Sequence, residues 1–400
     1  MSGCSSNPQS ATDEQLDQRL ADNTPSQNDS DALLLWVDPN LVPALELVAP
    51  QFKAATGLDL NLDVMPIDDI RVEITKAESD GATPDLFAGR HWWTGQLVED
   101  NLIVPVELWS IEPQIITSLD HAFEYQGLSY GLPYSAESLI LYRNTDMVPD
   151  APESFDQMTK YCAANSLEMC LAMPGGNQQG DAYHHYPFVS AFGGYAIGYS
   201  PVTGFNGHDF GLGSESTIQG LEYLKAMVES GTIAPLDYEQ AKAGFVDAKA
   251  PFYLTGPWEH ESVTGSGVPF AVSVIPPIGD QPAQPFVEAE GLFVSARSQQ
   301  KLEAVSLLLD HLASEPAMEA VLAASPRATP WASLASRADA SELQTVLNEA
   351  VANAALVPNL AGIDALWQPL GEQLLAIRKG ERSPRRAMDT MQDVYSVINQ

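Results

Sequence analysis

Apolar positions along the chain switch between two periods, and the switches mark its elements. Leu33-Leu34-Leu35-Trp36-Val37 is an unbroken apolar run of strand length, the pattern of a strand covered on both faces. Leu45, Val48, Phe52 and Ala55 then recur at helical spacing, and Gly57 stands where a helix C-terminus favours a left-handed residue. Leu58, Leu60, Leu62 and Val64 alternate with polar neighbours, as in a strand with one buried face. A helical stretch over 67–79 leads to a strand at Pro84-Asp85-Leu86-Phe87-Ala88. This β-α-β-α-β rhythm predicts a mainly parallel sheet flanked by helices, with ligand sites in loops beyond the strand ends.

The rhythm returns further along. Residues 138–142 and 270–274 read as strands, and 154–164 and 214–229 as helices, the second with Ile218, Leu221, Leu224 and Val228 on one face. Ala250-Pro251-Phe252-Tyr253-Leu254 reads as a strand that Gly256-Pro257 ends, because proline has no N–H to donate and glycine permits a turn. Trp258 is thereby left at a strand tip, either capping a core or walling a ligand site. After a strand at 291–295 the chain is nearly all helical. Leu302, Val305, Leu309 and Leu312 form one stripe, and helices over 341–355, 362–379 and 385–399 finish the chain. Two α/β halves are the expectation.

Composition narrows the partners. The 400 residues, 45% hydrophobic and 18% charged, suffice for two globular domains. Asp and Glu number 53 against 19 Lys and Arg, a formal net charge of −34. That field repels nucleic acid and anionic lipid, so neither is an expected partner; as a solvated acidic surface it keeps the protein soluble. No stretch reaches the run of about 18 apolar residues that a membrane span needs. The seven histidines show no metal-ligand spacing, and neither metal nor cofactor is expected.

Met1-Ser2-Gly3-Cys4-Ser5-Ser6 resembles the end of a bacterial lipobox, in which Cys4 would be lipidated; Met1 in front of Ser2 reads as a chain whose signal has been deleted. Residues 1–31, rich in Ser, Gln, Asn, Thr, Pro and Asp, fit a disordered tether behind that anchor. The protein is then expected outside the cytoplasm, lipid-anchored at the outer face of the cytoplasmic membrane or in the periplasm. In an oxidising space Cys162 and Cys170 suggest a disulfide worth roughly 2–3 kcal/mol, with two buried free thiols as the other reading.

Several segments together resemble one family. Gly131-Leu132-Pro133-Tyr134-Ser135-Ala136-Glu137-Ser138-Leu139, Tyr142-Arg143-Asn144-Thr145-Asp146 and Pro152-Glu153-Ser154-Phe155 are similar to the first interdomain crossover of maltose-binding-protein-like solute-binding proteins, the receptors of ABC sugar importers. Thr255-Gly256-Pro257-Trp258 resembles their Gly-Pro-Trp turn, 285–333 their return segment, and Pro358-Asn359 through Leu366-Trp367 a late aromatic-bearing helix. The resemblance runs from about residue 32 to the end. It implies a two-lobed periplasmic-binding-protein fold (type II), each lobe a mainly parallel sheet flanked by helices. Lobe one would be 32–136 plus 290–336 and lobe two 139–287 plus 341–400, with hinge crossovers at 137–138, 288–289 and 337–340. Lobe closure on a ligand that bridges both halves would be the working motion.

A pyranose has apolar C–H faces and a rim of hydroxyls, so it calls for aromatic platforms and for amide, carboxylate or guanidinium partners. The resemblance implies that Arg90-His91-Trp92-Trp93 contribute from lobe one, one tryptophan to the cleft and the other to packing; the acid-basic pair that the family often carries there is absent. Asp38 and Asn40 follow the first strand, where the family has polar contacts and where Asp38 also suits a cap. Glu137 matches a glutamate that accepts sugar hydroxyls, with a hinge ion pair as its other reading. Asp181 and Tyr183 match a ligand-touching segment, while His184 and His185 read as helix surface or rim. Trp258 and Trp367 match two stacking positions. Glu259 is either a hydroxyl acceptor or an acid at a helix start, and His260 and Glu261 belong to the helix that follows.

The implied function is a monomeric, non-enzymatic receptor for a neutral saccharide, an α-linked disaccharide or maltodextrin of maltose or trehalose type, serving ABC transporter membrane subunits. Sucrose, a glucosyl polyol and other saccharides remain alternatives. A glycoside hydrolase would also line a cleft with acids and tryptophans, but needs two carboxylates flanking one bond. A receptor for a polyamine or peptide is the third reading, and the aromatic set favours sugar over it.

Overall fold

The computed structural model describes residues 32–80, 83–106, 114–279 and 281–398. Cys4 and the tether over 1–31 lie outside the described residues.

Strand β1 (Ala32–Val37) pairs in parallel with β2 (Asp59–Val64) on one side and β3 (Leu86–Arg90) on the other. The helix between β1 and β2, Val42–Thr56, ends as predicted: Gly57 takes φ 79°, a conformation costly for a residue with a Cβ, and its N–H bonds the Lys53 carbonyl. After β4 (Ile103–Val104), a small hairpin of β5 (Glu124–Tyr125) and β6 (Leu128–Ser129) leads into β7 (Gly131–Ser138). One residue, Leu139, separates β7 from β8 (Ile140–Asn144), and there the chain passes from the first sheet to the second. Next come β9 (Leu171–Ala172), a separate hairpin of β10 (Ile197–Ser200) and β11 (Gly204–Phe210), β12 (Phe252–Thr255) and β13 (Phe270–Ser273). The second sheet has the order β13-β8-β12-β9. The ten-residue β14 (Phe286–Ser295) returns to the first sheet, and β15 (Ala355–Leu356) joins it there in the order β15-β14-β3-β1-β2.

The two-sheet α/β architecture agrees with the sequence reading, but the strand directions are more mixed than its rhythm predicts. β14 runs antiparallel to β3, β4 and β7, and β8 runs antiparallel to both β12 and β13. An apolar period reveals a strand and the helix after it; which distant strand becomes its neighbour is decided by packing. The pairing of β7 with β14 sets Glu137 opposite Glu288 and Ser138 opposite Val287, so both crossing segments run side by side.

Period-two alternation divides the core. On β12, Phe252 and Leu254 enter one buried cluster and Tyr253 the other. In the helix Leu302–Leu312 the buried stripe is Val305, Leu308, Leu309 and Leu312, while Leu302 opens the helix and is exposed. Cys162 and Cys170 are joined in a disulfide that ties the end of the helix Phe155–Ala164 to the segment entering β9.

Candidate functional site

The crossing strand β14 forms the back of a cleft of about 510 Å³. Phe286 and Glu288 of β14 line it, Trp92 covers it from the end of β3, and Trp367 approaches from the late helix Asp364–Arg378. Asp181, Tyr183 and Tyr238 add a polar and aromatic wall from the other half. Phe286 and Trp367 meet edge-on with centroids 5.7 Å apart, and Tyr183 lies 6.1 Å from Phe286. Contacts of this kind fix the mutual orientation of the rings.

The segment His91–Trp93 is a single 3-10 turn, which sends three successive side chains in three directions. Trp92 alone faces the cleft. Trp93 is sealed in the core over Gly89, where an added Cβ would lie 2.6 Å from its ring, and the Arg71 guanidinium stands 5.6 Å from its centroid. His91 is fully buried and does not reach the cleft: its Nε2–H donates to the Val357 carbonyl at 2.8 Å, and its Nδ1 accepts the Ala289 N–H at 3.0 Å. Burial pushes its pKa down to about 4, so it is neutral and joins β3 to β14 and to the segment after β15. Both residues, expected as ligand contacts or candidates, are structural.

Arg90 is held between Glu288 at 3.6 Å and Asp68 at 3.4 Å. Burial raises the Glu288 pKa, and Arg90 opposes that shift. Glu137 takes the ion-pair reading: it contacts Arg327, which also stands 3.7 Å from Glu290. Asp38 is buried and accepts the Tyr134 hydroxyl and, at 2.8 Å, the Asn40 N–H, a local turn that leaves Asn40 partly exposed. Burial and the Asp38 charge push the Glu290 pKa up to about 7, while Ser135 donates to its carboxylate at 2.6 Å. Asp38, Glu137 and Glu290 thus form a buried network around Arg327, outside the cleft lining.

Asp181 accepts the His184 N–H at 2.9 Å, His184 Nδ1 at 2.7 Å and the Tyr238 hydroxyl. Burial alone would raise its pKa, but the His184 charge and hydrogen bond hold it well below the usual carboxylate range. The Tyr183 hydroxyl donates to the Phe286 carbonyl at 3.1 Å, anchoring this wall to β14. His184 and His185, read as surface, are both buried; His185 bonds the Asp181 carbonyl and meets Arg378 at 3.1 Å. Burial followed by Arg378 pushes the His185 pKa down to about 3.

Gly256-Pro257 ends β12 as predicted, and Pro257–Glu259 make one 3-10 turn before the helix His260–Ser266. Trp258 is 37% exposed and stands edge-on to Tyr183 at 6.1 Å and to His184 at 6.0 Å, extending the aromatic surface beside the cleft. Glu259 points away, largely buried and 3.4 Å from Lys242. Sequence reasoning missed Glu288 and Tyr238. Tyr238 opens a helix behind the capping box of Asp237 and Gln240, a legible start signal that says nothing about its neighbours in space.

Residues 48–348 match the family described as bacterial extracellular solute-binding protein. The chain belongs to this family. It is a solute-binding protein of an extracellular family and not an enzyme, and the glycoside hydrolase reading falls. It is similar to the maltotriose-binding protein of Pyrococcus abyssi, 27% identical over 258 residues that span 62% of this chain and 54%, about half, of that protein. A maltooligosaccharide ABC transporter solute-binding lipoprotein of Streptococcus pneumoniae (strain ATCC BAA-255 / R6) is 22% identical over 367 residues, 89% of this chain and 86% of the relative. The fold of this solute-binding protein resembles the crystal structure of cyclo/maltodextrin-binding protein complexed with maltotetraose, with a TM-score of 0.82, 19% identity and coverage of 92% and 97% of the two chains.

Proposed function

We propose that this solute-binding protein is the exported receptor of an ABC importer for a neutral oligosaccharide of the α-linked maltose or maltodextrin type. The observation that carries the reading is the set of aromatic side chains gathered around one cleft from distant parts of the chain: Trp92, Tyr183 and Trp367, with Phe286 behind them. Sugar C–H faces would stack on the rings, and Asp181, Glu288 and Tyr238 would offer partners for hydroxyls. The names of the relatives support the same class of solute.

Closure would bring lobe one (32–136 plus 290–336) against lobe two (139–287 plus 341–400) about the crossings at 137–138, 288–289 and 337–340. Side-by-side crossing strands suit that motion, since two paired segments would flex together. Cys4 would carry the lipid, and residues 1–31 would tether the receptor near its membrane subunits.

Calorimetric titration with maltose, maltotriose, trehalose and sucrose tests the reading. Maltotriose or maltose should bind at micromolar concentrations or tighter. Preference for trehalose or sucrose would move the assignment to a compact disaccharide, and silence with every sugar would overturn it. A Trp258→Ala variant with undiminished affinity would remove Trp258 from the site.

A further inference from the structure

A second cavity, of about 600 Å³, lies beyond the cleft's back wall. Phe286 lines both spaces. On the cleft side it meets Trp367 edge-on; on the other, Tyr186 stacks against it at 3.5 Å and 10°. Much of the second cavity is built from elements that take no part in the cleft: the loop over 193–196, the β10–β11 hairpin, the turn Thr117–Leu119 and β15.

Its chemistry is that of an amphipathic ring site. Tyr195 and Tyr199 line it while remaining 36% and 39% exposed, so tyrosine surface is open at its mouth. Ser118 enters from the Thr117–Leu119 turn with its Oγ buried and without a hydrogen-bond partner among the described residues. Asp209 Oδ1 accepts the Tyr195 hydroxyl at 2.8 Å. Its Oδ2 sits over Gly198, where a Cβ would come within 2.1 Å, so the missing side chain makes room for the carboxylate. Gln284 adds an amide to the lining. Among the described lining residues there is no lysine or arginine. An anion would face Asp209 and a net charge of −34 with no counter-charge. A cation would leave the Ser118 and Gln284 donors without use. Tyrosine faces together with hydroxyl, amide and carboxylate groups match a neutral ring rimmed with hydroxyls.

We propose that this cavity is a second ligand site, for a neutral mono- or disaccharide, separate from the cleft. The proposal rests on the cavity's own lining and not on the assignment of the cleft. The site requires Tyr199 as an apolar platform and Ser118 as a hydroxyl partner reaching in from a different element.

Glucose and maltose are titrated into the intact protein, Trp92→Ala, Tyr199→Ala and Ser118→Ala, with binding followed by calorimetry and saturation-transfer NMR. A second, weaker saturable phase should appear in the intact protein and persist in Trp92→Ala. It should weaken at least tenfold in Tyr199→Ala and measurably in Ser118→Ala, with the tight phase unchanged in both. A single phase in the intact protein, or a second phase indifferent to both cavity substitutions, overturns the proposal. So does choline binding at Tyr199 in place of either sugar. Failure of the cleft reading looks different: the tight phase would then be missing or indifferent to Trp92→Ala. Tyr199 is exposed and Ser118 lies on another element, so a folding defect in one variant leaves the other as a test.

Discussion

Trp92 and Trp93 adjoin in sequence and stand edge-on, centroids 6.0 Å apart at 82°, yet one lines the cleft and the other is sealed in the core. The two substitutions should therefore separate binding from stability. Trp92→Ala should weaken maltotriose binding about tenfold, about 1.4 kcal/mol, with little change in Tm. Trp93→Ala should cost about 3–5 kcal/mol of stability through the cavity it leaves. Calorimetry and urea unfolding on both variants check the split; equal binding losses in two equally stable proteins would contradict it.

Arg327 contacts the buried carboxylate of Glu137 and stands 3.7 Å from that of Glu290, and removing it takes away the cation they share. Arg327→Ala should cost about 3–5 kcal/mol at neutral pH, the loss typical of one partner of a buried pair. Adding Glu137→Gln should return part of that loss, because less charge is then buried unpaired. Denaturant titrations of the single and double variants give the coupling, and strict additivity would show that the pair does not act as one unit.

His91 makes stability depend on acidity. Its pKa is about 4 in the folded protein and about 6.5 when exposed, so between those values the unfolded chain binds more protons. Its contribution is present above about pH 6.5 and is lost as pH falls towards 4, by at most about 1.4 kcal/mol per pH unit. His185 adds in the same direction, its value being about 3. Urea unfolding at pH 7 and pH 5 should show the decline, and His91→Asn, although less stable at pH 7, should flatten it. An unchanged slope would mean that His91 does not titrate this way.

Cys162 and Cys170 close a short loop, their sequence separation being 8. Their reduction, or Cys162→Ser with Cys170→Ser, should lower stability by roughly 2–3 kcal/mol by freeing the unfolded chain. Both residues lie in the second-sheet core and neither lines the cleft, so sugar affinity should hold. Thermal melts with and without dithiothreitol read the first effect and calorimetry the second.

Local pattern settled what local energetics can settle. Apolar runs and alternations placed β1, β2 and β12, Gly57 and Gly231 stopped their helices, and Gly256-Pro257 put Trp258 at a strand tip. Each of these depends on neighbours a few residues apart, through side-chain periodicity, φ and missing N–H groups. The candidates Trp92, Asp181, Tyr183 and Trp367, which line the cleft, came from the family resemblance of their segments and not from period or spacing. What tertiary structure alone decided was the direction in which each one points. The 3-10 turn at 91–93 sent Trp92 to the cleft and His91 and Trp93 inwards. Arg327, 190 positions beyond Glu137 in numbering, claimed a carboxylate that the sequence offered equally to a sugar or to an ion pair. Glu288 and Tyr238 joined the cleft only because β14 and the helix Tyr238–Val246 pack around the same space. Such contacts form between residues far apart in the chain, and no period or spacing encodes them; they exist once burial of the two cores has fixed which segments lie side by side.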